Sequence, residues 1–245
     1  MCTVTFIPRP AGYCLAMNRD EKIARPGGLA PEIMRAEGRS VAYPSEPGGG
    51  TWISLNDAGS CLALINGYSV RARVGIGALS RGVIVKAACL GDTREAVERS
   101  LEKLALGRVN PFRLIGIFAR GKVAEWRWDL KELVRKDHRW RAQQWISSGF
   151  DEPKAQQIRS RTFRKMQEQE SAGSLDWLSR VHRSHWPEKG PFSICMHRDD
   201  AMTVSSTRII VSHGRGTMIY QDGPPCLATK PLIRELQLRE FSEAA

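Results

Sequence analysis

Apolar and polar positions first organise themselves at the start of the chain. Cys2-Thr3-Val4-Thr5-Phe6-Ile7 reads as a strand, Pro8-Arg9-Pro10-Ala11-Gly12 as a turn, and Tyr13-Cys14-Leu15-Ala16-Met17 as a second strand. The second strand runs into four polar residues, Asn18-Arg19-Asp20-Glu21. A hairpin returns the end of its second strand to the start of its first. The tetrad is therefore expected beside Cys2, although Asn18 is 16 positions further along the sequence. A second hairpin is predicted from 51–56 and 60–65 around Asp57-Ala58-Gly59, and a third from 112–119 and 122–128 around Arg120-Gly121.

Helical spacing predicts helices over 79–90, over the stretch that Asp92 caps with Glu95 three residues on, over 153–169 and over 175–185. In the third of these Ile158, Phe163 and Met166 face a core. Further strands are predicted at 192–198, 202–212 and 217–221. Strand blocks alternating with helix pairs suit an α+β protein. Its expected form is a four-layer α/β/β/α sandwich, with two mainly antiparallel sheets face to face under helices.

A chain of 245 residues at 42% hydrophobic buries one substantial core. No linker or repeat divides it, so residues 1–245 are expected to form a single domain. The six cysteines contain no C-x-x-C pair, which gives no reason to expect a structural zinc or any metal ligand set. Cys14, Cys61 and Cys195 sit in apolar patterns and are expected as buried thiols. No signal peptide is read at the start, and no run approaches the ~20 apolar residues that span a bilayer. A reducing cytoplasm is the expected location, and it suits a free thiol.

The net charge of +11 changes the picture only locally. Much of the excess lies between Arg127 and Lys165, interleaved with Trp128, Trp140 and Trp145, next to Trp126. Two readings stand: a solvated helical face with aromatic core residues, or a basic rim around a pocket for a carboxylated or phosphorylated small molecule. No helix-turn-helix, RRM or zinc-finger pattern occurs, so nucleic acid is not the expected partner. His182 and His185, three apart on a short helix, are expected in exposed or capping roles. His197, two residues after Cys195, falls on the same face of a strand, where apolar packing is expected ahead of a Cys/His dyad. Heme ligation through His or Cys obeys no strict spacing rule and stays open.

The chemistry centres on Cys2. Removing Met1 makes it the N-terminal residue, with a thiol and a free α-amine on one carbon. The thiolate is a strong nucleophile, and an amine that titrates near ~7.7–8.0 is a general base at neutral pH. The plainer reading is a small hydrophobe that opens a buried strand. Likewise the tetrad is either a solvated loop or a site in which Asp20 holds the amine and Arg19 favours the thiolate. Asn66-Gly67 closes an apolar strand and has a plain reading as a turn.

Met1-Cys2, Asn18-Arg19-Asp20-Glu21, Arg25-Pro26 and Gly49-Gly50-Thr51-Trp52, in this order and spacing, resemble the NRDE family, also called the transport and Golgi organisation protein 2 family. Asn56-Asp57-Ala58-Gly59, Asn66 and Ser206-Thr207-Arg208 also fit. The family is similar to the N-terminal nucleophile hydrolases of the choloylglycine hydrolase and penicillin acylase group, in which an N-terminal Cys cleaves a linear amide. The resemblance implies the same sandwich, with Cys2, Arg19, Asp20, Asn66 and Arg208 as site residues. It also implies acyl transfer from an amide or thioester, with no cofactor required. Where those enzymes place a second oxyanion-site Asn, this chain reads Ser147-Ser148-Gly149-Phe150, and Ser148 or a backbone amide is the expected substitute. The family's links to heme trafficking and to lipid or coenzyme A metabolism imply an alternative. That alternative is a carrier on the same fold for heme or another anionic hydrophobic ligand. Oligomeric state and substrate identity are not expressed in the sequence.

Overall fold

The computed structural model describes residues 2–239. Two antiparallel sheets lie face to face. The first runs in the order β10 (Gln143–Ser147), β1 (Cys2–Arg9), β2 (Gly12–Lys22), β11 (Ala201–Ser212), β12 (Arg215–Asp222), β13 (Leu232–Gln237). The second runs β3 (Leu29–Ala36), β4 (Arg39–Ser45), β5 (Ile53–Asn56), β6 (Cys61–Asn66), β7 (Phe112–Phe118), β8 (Lys122–Trp128), β9 (Leu133–His138). Val4, Phe6, Leu15, Leu55, Ile115 and Ile209 are among the side chains that fill the space between them. Helices α1 (Gly82–Ala88) and α2 (Arg94–Glu102) cover the outer face of the second sheet through Ile84, Val85, Val97 and Leu101. Helices α3 (Glu152–Gln167) and α4 (Leu175–Arg183) cover the first through Phe163, Trp177, Leu178 and Val181. The expected α/β/β/α sandwich is the observed one, and all three predicted hairpins are present.

Several boundaries differ from the pattern. The helix predicted over 79–90 is only α1, because Gly50 and Gly82 bring two backbones together there. A Cβ on Gly50 would lie 2.9 Å from the Gly82 Cα. Thr93, not Asp92, caps α2: its hydroxyl accepts from the Ala96 N–H at 3.1 Å. Asp92 instead pairs with Arg39 at 3.6 Å. The strand predicted over 192–198 is irregular chain with one bridge, His197 to Met202. The tetrad is not a loop. β2 continues through it to Lys22, paired with β11 across a bulge between Thr203 and Ser205. Strands β3, β4, β9, β10 and β13 carry no alternation strong enough to announce them. β3 and β9 are sheet edges, exposed along most of their length.

Trp126, Trp128 and Trp145 are buried, so the basic segment gains no stacking platform from them. The carboxylate of Glu125 is buried on β8 among Arg113, Arg127 and His138, at 2.6, 2.9 and 2.9 Å. Burial alone would raise its pKa. The hydrogen bonds and charges of Arg127 and Arg113 overcome that and hold it at about 2 against an ordinary 4.5. A depressed folded-state pKa stabilises above the unfolded value and loses that contribution as pH falls toward the folded one. Glu125 is thus expected to contribute about 3 kcal/mol at neutral pH, lost between pH ~4.5 and ~2. Urea unfolding across that range should show Glu125→Gln less stable than wild type at pH 7 and the two converging at pH 2.

Candidate active site

Strand alternation divides the polar tetrad between two faces of one sheet. Met17 lies in the core between the sheets and Ala16 in the core under the helices. Arg19 and Glu21 therefore follow Met17 into the space between sheets, and Asn18 and Asp20 follow Ala16 toward α3 and α4. The contacts agree. The Asn18 amide donates to the carbonyls of His182 and Ile194 at 2.9 and 3.0 Å, and its oxygen accepts from Ser206 Oγ at 3.0 Å. His182 completes this buried set, with Nδ1 at 3.0 Å from Asn18 and Nε2 at 2.9 Å from Thr5 Oγ1. Burial lowers the pKa of His182 to about 3, so its ring is neutral at physiological pH. The expected exposed or capping histidine is a core residue that locks α4 to the sheet.

Asp20 is 1% exposed. Oδ2 accepts from Arg159 Nη1 at 3.1 Å and Oδ1 from Thr203 Oγ1 at 2.7 Å. Arg159 Nη1 also donates to Thr3 Oγ1 at 2.8 Å. Arg159, on the inner face of α3, is a residue the sequence pattern missed: it reads as one more cation in a basic helix, yet it is fully buried. Asp20 and Arg19, both expected to serve Cys2, thus point to opposite faces of the sheet, and Asp20 pairs with Arg159. Arg19 turns the other way, to Glu46 at 3.0 Å and Glu21 at 3.5 Å, with its guanidinium 4.4 Å over the Trp52 ring.

Cys2 opens β1 and stands directly across from Arg19 of β2 on one side and Ser147 of β10 on the other. It is 7% exposed and lines a cavity of about 370 Å³. Arg19, Asp20, Trp52, Asn66 and Arg81 line it as well. Asn66, at the end of β6, reaches it from the second sheet, its Nδ2 donating to the Tyr68 hydroxyl at 2.8 Å. Burial pushes the Cys2 thiol above its ordinary value and the Asp20 charge adds to this, while the Asp20 backbone N–H and the Arg19 charge pull the other way. Ser147 Oγ, beside Cys2 in the strand pairing, is buried and has no hydrogen-bond partner among the described residues. Arg208 is not brought to this cavity. It projects from the helix-covered face of β11, and its Nη1 donates to Ser179 Oγ of α4 at 2.8 Å. The structure thus gathers Cys2, Arg19, Asp20 and Asn66 and sends Arg208 elsewhere.

The sequence model of the Transport and Golgi organisation 2 family matches residues 1–173. The chain belongs to this family. No curated protein sequence matches this chain. Among solved structures it is similar to penicillin V acylase from Agrobacterium tumefaciens, at 13% identity and a TM-score of 0.57 over 97% of this chain and 86% of that one. It is equally similar to a mutant conjugated bile acid hydrolase from Clostridium perfringens, at 9% identity and a TM-score of 0.57 over 97% of this chain and 92% of the other. These likenesses show that the chain shares its fold, the α/β/β/α sandwich, with those two proteins. No helix among the described residues is long and apolar enough to cross a membrane.

Proposed function

We propose that this member of the family transfers acyl groups through Cys2, as an N-terminal-cysteine hydrolase or acyltransferase acting on a linear amide or thioester. The observation that carries the reading is the position of Cys2. It is the first residue of β1, on the wall of a cavity that Asn66 reaches from the opposite sheet. Once Met1 is removed, the Cys2 α-amine takes the thiol proton. The thiolate adds to the acyl carbon, and the carbonyl oxygen becomes an oxyanion. Asn66 Nδ2 has two hydrogens, so its bond to Tyr68 leaves one for that oxygen. Ser147, across from Cys2 in the strand pairing and with its Oγ unpartnered among the described residues, is preferred to the expected Ser148 as a second donor in place of the missing Asn. The C–N or C–S bond then breaks, the leaving group takes the proton from the α-ammonium, and water or an amine releases the acyl group from sulfur. Arg19, Arg25 and Arg81 share the cavity wall with Asp20, Glu21 and Glu46, so the wall offers charges of both signs to a polar substrate.

Met1 removal would put the α-amine on Cys2 itself, where it can take the proton of a thiol whose burial disfavours the thiolate. Intact mass of native protein should therefore be lower by one methionine. Iodoacetamide at pH 7 should label Cys2 of that protein faster than the other five cysteines, and much more slowly in a form that retains Met1. Active native protein with Met1 fully retained would defeat the mechanism. The alternative, a carrier for heme or an acyl-coenzyme A-like ligand, draws support from the same buried thiol. Among the described residues Cys2 is the one cavity-lining residue of a type that ligates heme iron, since no described His, Met or Tyr lines it. Incubation with an amide and thioester panel, read as acyl adducts on Cys2 beside equilibrium binding of heme, decides between them. Adducts support the enzyme; heme binding without any adduct supports the carrier.

A further inference from the structure

Four side chains outside the Cys2 cavity converge behind the first sheet: His185, Cys195, His197 and Cys226. One ligand atom from each lies within 4.8 Å of every other. They come from separate places in the chain. His185 follows α4, Cys195 and His197 sit in the irregular stretch before β11, and Cys226 lies after β12. Their spacing in sequence, 185, 195, 197 and 226, has no C-x-x-C or H-x-x-x-H signature, so no linear motif announces them.

The geometry among them is specific. His197 Nε2 faces His185 Nε2 at 3.3 Å, Cys195 Sγ at 3.6 Å and Cys226 Sγ at 3.5 Å. One ring nitrogen has either one proton or one lone pair, so it cannot satisfy three such neighbours by hydrogen bonding. A shared cation does satisfy them. A tetrahedral zinc ~2.3 Å from sulfur and ~2.0–2.1 Å from imidazole nitrogen has edges of about 3.3 Å between nitrogens and about 3.6 Å between nitrogen and sulfur. The three observed separations match those edges. Cys195 is fully buried and the other three are half-buried, as in a closed structural site.

We propose that His185, Cys195, His197 and Cys226 bind one zinc ion as a Cys2His2 structural site. On binding, each thiol gives its proton to solvent, and two thiolates neutralise the dication. Mixed thiolate and imidazole ligands in a tetrahedron suit zinc over harder cations. The site would fasten the chain between α4 and β11, a stretch with little regular structure of its own. That stretch supports the Cys2 cavity from behind. The Met196 N–H donates to Thr203 Oγ1 at 2.9 Å, and Thr203 Oγ1 donates to Asp20 at 2.7 Å. The Pro191 carbonyl accepts from Arg159, and the Ile194 carbonyl accepts from Asn18. The zinc would be a staple under the Asp20–Arg159 pair and would take no part in acyl transfer, so the site stands whether or not Cys2 is catalytic.

The test uses full-length protein purified under reducing conditions without a metal-affinity step. Elemental analysis should find one zinc per chain, falling to a tenth or less in Cys226→Ala and unchanged in Cys89→Ala, a buried thiol outside the cluster. Since Cys226→Ala could fold poorly, metal-stripped wild type is titrated with Co2+ in parallel. Thiolate-to-cobalt charge transfer and the visible bands of tetrahedral cobalt should saturate at one equivalent. Cobalt uptake without a thiolate band, or equal zinc in Cys226→Ala and wild type, would overturn the proposal. So would a Cys195–Cys226 disulfide in metal-free native protein.

Discussion

Asp20→Asn will destabilise the protein by about 3–5 kcal/mol, the usual cost of breaking a buried ion pair from one side. The tetrad, read along the chain, suggests an Asp that holds the Cys2 amine. The fold also gives it a buried ion-pair partner. Both side chains of the Asp20–Arg159 pair are fully buried, 3.1 Å apart. The Asn variant keeps the shape and the bond from Thr203, yet leaves the Arg159 charge unpaired inside the protein. Arg159 also ties α3 to Thr3, one residue from Cys2, so the damage should spread to the cavity. Urea denaturation should show a lower midpoint with an unchanged slope. Replacing both partners, as Asp20→Asn with Arg159→Met, should recover part of the loss, because no unpaired charge then remains. A single Asp20→Asn variant as stable as wild type would mean that the pair is not the buried support described.

Asn66→Ala should lower the rate of acyl transfer to Cys2 by about 10²–10³, or ~2.7–4 kcal/mol of transition-state stabilisation. Binding of the same ligand should change little, because the oxyanion forms only as the bond to sulfur forms. Asn66 is positioned by β6, which lies in the interior of the second sheet, and by the Tyr68 hydroxyl that accepts from its amide. Tyr68→Phe should therefore cost less than Asn66→Ala, since it frees the amide without removing it. Ser147→Ala tests the second donor and should add to the Asn66 defect less than its own single effect if both serve one oxygen. Single-turnover acylation followed by mass spectrometry separates these from binding. Equal loss of binding and acylation in Asn66→Ala would assign the residue to ligand recognition, as the carrier reading requires.

Much of the candidate site was legible along the chain. The apolar–polar–apolar run of the first 17 residues dictates a hairpin, and a hairpin alone sets Cys2 beside the tetrad. The order of short motifs was enough to point to the family, and alternating strand and helix blocks were enough for the layers. What could not be read was which way each polar residue faces a partner distant in sequence. Arg159 and Asp20 are 139 residues apart, and nothing local marks one arginine of a basic helix as buried. Arg208 fits a motif in sequence, but the parity of β11 turns it toward α4, and a one-residue difference in parity reverses a side chain's face.

The sequence by itself determined the first hairpin, the identity of the candidate nucleophile and the sandwich, because these follow from local periodicity and from residues near one another. Tertiary structure alone decided the exposed edge strands, the division of the tetrad between two faces and the buried Asp20–Arg159 pair. It alone also brought His185, Cys195, His197 and Cys226 together. Each of these depends on contacts between segments that only sheet pairing and layer packing bring close, and composition or spacing along one segment holds no record of such contacts.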